Sequence, residues 1–126
     1  MKGQRLFVRP LEPGDRETLE ALHVAAGEPP FEILGSEEGL VGRLAGTTVA
    51  WLAWRPEPAA MVITRLFVAG ELRRLGIGRM LLAEAGAIAA AGGAASLRVE
   101  QDCKLARYFE RCGFVSAGGS LIRTTR

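Results

Sequence analysis

The chain has 126 residues, 48% of them apolar and 24% charged, which is enough for one compact domain spanning residues 1–126 and too little for two ordinary ones. Sixteen Lys and Arg against fourteen Asp and Glu leave a formal charge of +2, which gives no strong nucleic-acid footprint and excludes an acidic solvating tail. No apolar run approaches the roughly 20 residues of a membrane span, and the start, MKGQRLFVRP, lacks the apolar core of a signal peptide, so a cytoplasmic protein with no membrane partner is expected.

The cysteines and the single histidine exclude more chemistry. Cys103 and Cys112 fall nine residues apart in one expected helix, about 13 Å along its axis, and cannot pair with each other. With one histidine, His23, no zinc site and no Ser/His/Asp constellation is expected. Fourteen of the sixteen basic residues are Arg, the usage of a GC-rich bacterial genome.

In chain order, Arg5 to Pro10 alternates Leu6 and Val8 with polar neighbours and reads as a half-buried strand. Pro13-Gly14-Asp15 breaks it, Asp15 supplies an N-cap, and Leu19, Leu22, His23 and Ala26 line one side of a helix ending at Gly27. Residues 27 to 38 show no convincing period and read as a loop. Leu40 to Leu44 and Thr47 to Trp54 flank Ala45-Gly46 as a hairpin. Trp51 and Trp54, three apart on a strand, point to opposite faces, one into the core and the other to an acceptor site or subunit contact. After Arg55-Pro56-Glu57-Pro58, the run from Ala60 to Val68 is a mid-sheet strand.

The segment GELRRLGIG then opens onto a helix from Arg79 to Ala91, with Leu81, Ala85 and Ile88 on its buried face. Ser96 to Glu100 follows as a strand expected to pair parallel with Ala60 to Val68 through that helical crossover. Asp102 caps a helix from Cys103 to Cys112 that packs through Leu105, Tyr108 or Phe109, and Cys112; Phe114 to Ser116 and Leu121 to Thr124 close the chain as short strands. The order predicts a mixed α/β sheet domain.

The informative element is the junction between strand and helix. The first amides of a helix have no intrahelical acceptor, and its aligned dipoles put positive potential there, so the site attracts an anion. Gly76 and Gly78 lack Cβ atoms and let phosphate approach, while Arg73, Arg74 and Arg79 add charge and forked donors. The loop has neither the Gly-Lys-Ser/Thr ending of a Walker-type loop nor a third glycine at dinucleotide spacing. A tight turn with solvated arginines accounts for the same six residues.

Arg73-Arg74-Leu75-Gly76-Ile77-Gly78 resembles the acyl-CoA loop of the GNAT N-acetyltransferase superfamily, Arg/Gln-x-x-Gly-x-Gly/Ala. Asp102 to Phe114, DCKLARYFERCGF, is similar to that family's second signature, a helix running into Gly-Phe, and Val8 to Asp15 resembles its first strand and helix start. The resemblance implies a mostly antiparallel sheet flanked by helices, with a splayed parallel pair at the acyl-CoA site. It also implies an acetyl-CoA-dependent enzyme, without metal, that transfers acetyl to a primary amine by direct attack. The diphosphate of coenzyme A would lie on Arg73, Arg74, Leu75, Gly76, Ile77, Gly78 and Arg79. Pantetheine would run along Leu66, Phe67 and Val68, with the Val68 N–H polarising the thioester carbonyl, and Asp102 and Phe109 would complete the cofactor contacts.

The chain departs from that pattern where protons move. Phe109 stands where the family often has a tyrosine that protonates the leaving thiolate, and phenylalanine cannot donate; Tyr108, next to it, is rotated by about 100° around the helix. The usual acid on the preceding strand is missing, which leaves Glu100, Glu32 or water as base. Glu28, Glu32, Glu37 and Glu38 cluster beside the implied acceptor pocket, where Glu28 and Glu32 would attract a cationic small-molecule or peptide amine. The region between first strand and hairpin is short for the family, so the pocket is either open or completed by a second subunit in a homodimer. Two rivals stand beside this reading: a catalytically idle CoA-binding module of the same fold, and a nucleic-acid-binding domain using Arg73, Arg74 and Arg79, which the near-neutral charge opposes.

Overall fold

A computed structural model describes residues 6–27, 38–70, 76–100 and 105–125. Seven strands form one sheet in the order β1-β2-β3-β4-β5-β7-β6. Their ranges are β1 Leu6–Pro10, β2 Glu38–Leu44, β3 Thr47–Glu57, β4 Ala60–Val68, β5 Ser96–Glu100, β6 Val115–Ala117 and β7 Ser120–Thr124. The helices are α1 Arg16–Ala25, α2 Ile77–Ala91 and α3 Ala106–Arg111. Every adjacent pair is antiparallel except β4 and β5, which the α2 crossover forces into parallel. This is the mixed sheet expected from the sequence.

The sheet separates two apolar layers. On one face Leu40, Leu52, Trp54, Met61 and Ile63 pack with Leu81, Leu82 and Ala85 of α2 and Phe109 of α3. On the other, Val41, Trp51, Ala53 and Phe67 pack beneath Leu19 of α1. Trp51 and Trp54 do face opposite ways, but both are buried, so the expected exposed indole is corrected. The reason is the place of β3 between β2 and β4 with a helix on each side. The unbroken apolar run Val49–Trp54 carried that signal, because a strand buried on both faces does not alternate.

Several boundaries move for identifiable reasons. Strand β3 continues through Pro56, which faces Met61 of β4 beyond the last described pair with β2 at Trp54. Helix α2 buries Leu82 and Ala89, whereas Ile88, expected inside, is 39% exposed. Ala26 is exposed, and α3 starts at Ala106; Asp102 and Cys103 lie outside the described residues. Cys112 is buried as a free thiol.

The parallel pair is the feature that matters for the site. It consists of three rungs, Ala60 with Ser96, Met61 with Leu97 and Val62 with Arg98, although β4 runs on to Val68. Directly after Val62 the register with β3 shifts: Trp54 faces Ile63, yet Ala53 faces Arg65, so Thr64 is an extra residue. A bulge bends and twists the strand that carries it. Here it turns β4 away from β5 and opens a gap.

Candidate functional site

Two elements bear on the candidate site: the end of the β4–β5 pairing and the start of α2. Gly76, the N-cap of α2, has φ 82° and ψ 7°, a left-handed conformation that a side chain would strain. Its carbonyl accepts from the Met80 N–H at 3.0 Å, closing the first turn, and buried Ile77 anchors that turn to the core. In helical geometry the amides of Ile77, Gly78 and Arg79 have no acceptor within the helix. Its N-cap glycine has no side chain to cap this end, and its first turn holds no acidic residue. Arg79 is exposed, with Nη2 donating to the Arg111 carbonyl at 3.3 Å. Of the expected loop, Arg73, Arg74 and Leu75 lie outside the described residues.

Leu66 is half-buried and packs on the α2 side, whereas the Phe67 side chain is buried under α1, stacked on His23 with ring centres 4.1 Å apart. His23 Nε2 accepts from the Trp51 indole N–H at 3.0 Å, so the histidine belongs to the core as a hydrogen-bonded residue. Val68 faces Ala50, and the next residue, Ala69, donates its N–H to the Val49 carbonyl at 2.8 Å. Successive amides of a strand alternate in direction. The Val68 N–H is therefore turned away from β3, towards the side where β5 departs. Glu100 is exposed at the end of β5 opposite Ser120.

Helix α3 brings Tyr108 and Phe109 to different places. Phe109 is buried, with ring centres 5.9 Å from Tyr108 and 5.1 Å from Phe114, so its side chain fills the core. Tyr108 is half-buried and its hydroxyl rests against Gly78 at the first turn of α2. Burial, reinforced by the Cys112 thiol, pushes the phenol up to about 12, with Arg79 and Arg111 acting in the opposite sense. It stays protonated at neutral pH, able to donate a proton and unable to serve as a base.

Of the acidic cluster, Glu28, Glu32 and Glu37 lie outside the described residues, while the Glu38 carboxylate accepts from the Trp54 indole N–H at 3.1 Å. Among the described residues no group of three or more His, Cys, Asp or Glu side chains is arranged to hold a metal, and no helix is long and apolar enough to cross a membrane. Sequence reasoning missed two features here: the Thr64 bulge and the contact of Tyr108 with Gly78. Neither has a local sequence signal, since each joins residues set by tertiary packing.

Comparison with known proteins follows this geometry. The sequence profile of the acetyltransferase (GNAT) family matches residues 4–114. A GNAT-family protein from Desulfovibrio desulfuricans superposes with TM-score 0.81 at 18% identity, covering 97% of this chain and 100% of that one. The ribosomal-protein-S18-alanine N-acetyltransferase from Escherichia coli gives 0.76 at 17% identity, covering 94% and 91%. A GNAT family acetyltransferase from Brucella melitensis, solved in complex with acetyl-CoA, gives 0.66 at 19%, covering 95% and 88%. At these identities the likeness is one of fold. No curated protein sequence matches the chain significantly.

Proposed function

The chain belongs to the GNAT acetyltransferase family, and from that premise we propose that it transfers an acetyl group from acetyl-CoA to a primary amine by direct attack. The observation that carries the reading is the continuity of two openings. A parallel pair parts after its third rung, and the strand that bends away leads on to a helix whose N-cap is a glycine and whose first turn holds no acid. Such a groove suits a ligand with a hydrogen-bonding arm and an anionic group, the chemistry of a pantetheine diphosphate. Gly76, Ile77, Gly78 and Arg79 would hold the phosphates together with Arg73, Arg74 and Leu75. Leu66 and Val68 would offer main-chain groups to the arm, whereas the Phe67 main chain is turned to Trp51 of β3 and the Phe109 side chain fills the core; Asp102 would complete the assignment.

When bound, the donor supplies a thioester whose carbonyl carbon an uncharged amine attacks, the C–N bond forming as the C–S bond breaks. The chain's part is to orient and to move protons. The Val68 amide would polarise the carbonyl, Glu100 or water would accept the proton that the amine loses, and water would return one to the thiolate, because the Tyr108 hydroxyl is held against Gly78 at the diphosphate end. A small-molecule or peptide amine is the acceptor, drawn by Glu28 and Glu32; a homodimer would complete the pocket. The protein works in the cytoplasm without metal, nucleic acid or membrane.

The test is a calorimetric titration with CoA and acetyl-CoA, followed by a thiol-release screen over amines. Micromolar binding with amine-dependent thiol release is expected. Binding without release for any amine would select the idle CoA-binding module, and absence of binding would overturn both.

A further inference from the structure

The two glycines at the start of α2 are small for different reasons. Gly76 has a left-handed backbone and open space where a side chain would project. Gly78 has no such backbone, but a methyl group on it would collide with the Tyr108 hydroxyl and lie 3.1 Å from Cζ and 3.6 Å from Cε2 of the same ring. The chain's only tyrosine thus fills the notch that this glycine leaves.

Resting on the reading that this helix end receives the donor's diphosphate, we propose that Tyr108 is a positioning residue. Its hydroxyl seats against Gly78 and fixes the distance between α3 and the first turn of α2, so that the turn's amides are set before the ligand arrives. Three further contacts make α3 a firm abutment. Phe109 is wedged against Phe114, Arg123 Nη1 of β7 donates to the Cys112 carbonyl at 3.1 Å, and Arg79 Nη2 of α2 reaches the Arg111 carbonyl. Tyr108 stands between this abutment and the phosphate-binding turn. The competing explanation is that residue 78 is glycine because a phosphate oxygen itself needs the space. The two explanations predict different couplings.

The experiment is a double-mutant cycle on the full chain: Gly78→Ala, Tyr108→Ala and the pair, with CoA dissociation constants from calorimetry and Tm from thermal melts. In the wild-type background, Gly78→Ala is expected to weaken CoA binding by about tenfold or more and to lower Tm, because the methyl group must displace the phenol. In the Tyr108→Ala background the same change alters affinity less than about twofold and raises Tm, since alanine is the better helix former once the notch is empty. Tyr108→Ala alone is expected to raise KM for the donor severalfold. Tyr108→Phe with Gly78→Ala falls between, because Cζ still crowds the methyl; that pair decides if Tyr108→Ala does not fold. Equal losses on Gly78→Ala in both backgrounds would overturn the proposal. If the wild-type chain does not bind CoA, the functional reading fails, and the Tm reversal alone then decides whether the contact governs α2.

Discussion

At the start of α1 the chain supplies its own negative charge, and in the first turn of α2 it supplies none. Before α1, Pro13–Asp15 forms a 3-10 turn whose Asp15 carboxylate is buried and fully engaged: Arg9 grips both oxygens at 2.9 and 2.6 Å, and the Glu12 N–H donates at 2.8 Å. Glu17 adds a second acid in the first turn of α1. Before α2 there is a left-handed glycine, and Arg79 where an acid would otherwise complement the dipole. The first end is sealed by a charge that the chain itself neutralises, Asp15 being held by Arg9 and the Glu12 N–H rather than capping α1, while the second has no acid in its first turn. On the function proposed above, only the second end would receive an anion from outside.

Closing the open end is the largest perturbation. Gly76→Glu puts a carboxylate and a strained left-handed residue at the cap of α2; CoA binding is expected to fall more than about 100-fold, while Tm falls by only a few degrees. Calorimetry and a thermal melt separate the two effects, and retained affinity would break the contrast.

Opening the sealed end comes next, with the opposite signature. Asp15→Ala leaves Arg9 without its partner and is expected to cost about 1–3 kcal/mol of stability with CoA affinity nearly unchanged. Its pH dependence has a definite sign. The bonds from Arg9 hold the Asp15 carboxyl below the usual carboxylate range, outweighing burial, and the Glu12 N–H adds to this. The contribution is therefore full above the unfolded value of about 3.9 and is lost as pH falls through the lower folded value. Denaturation curves across that acidic range should fall less steeply for Asp15→Asn than for the wild type. The smallest effect is expected from Arg79→Ala, a two- to fivefold loss of CoA affinity with a shallower salt dependence, because an exposed charge near a helix end is worth about 0.3–1 kcal/mol.

How much of this was legible in the sequence depended on whether the cause was local. Strands β4 and β5 were readable to the residue, because apolar and β-branched runs end there at Pro, Gly or polar residues. The start of α2 was readable to within two residues: Gly76 and Gly78 marked the junction, but the helix begins at Ile77 rather than at Arg79. The buried face of α2 was only half readable. A helix rich in Ala and Gly is apolar nearly all round, and packing against the sheet selects Leu82 and Ala89 over Ile88. The role of Asp15 was misread as a cap because its partner, Arg9, sits on the neighbouring strand. The reason for Gly78 was invisible, being a tyrosine thirty positions away.

Three rungs are all that stitch β1–β4 to β5–β7–β6 across the sheet. Each half has its own ladder of longer pairings, so the seam between them is the place where native-state opening should begin and amide exchange should be fastest within the sheet. A ligand lying in that seam would act as a missing strand, and by mass action its concentration would add to the packing of α2 in setting how tightly the two halves breathe together.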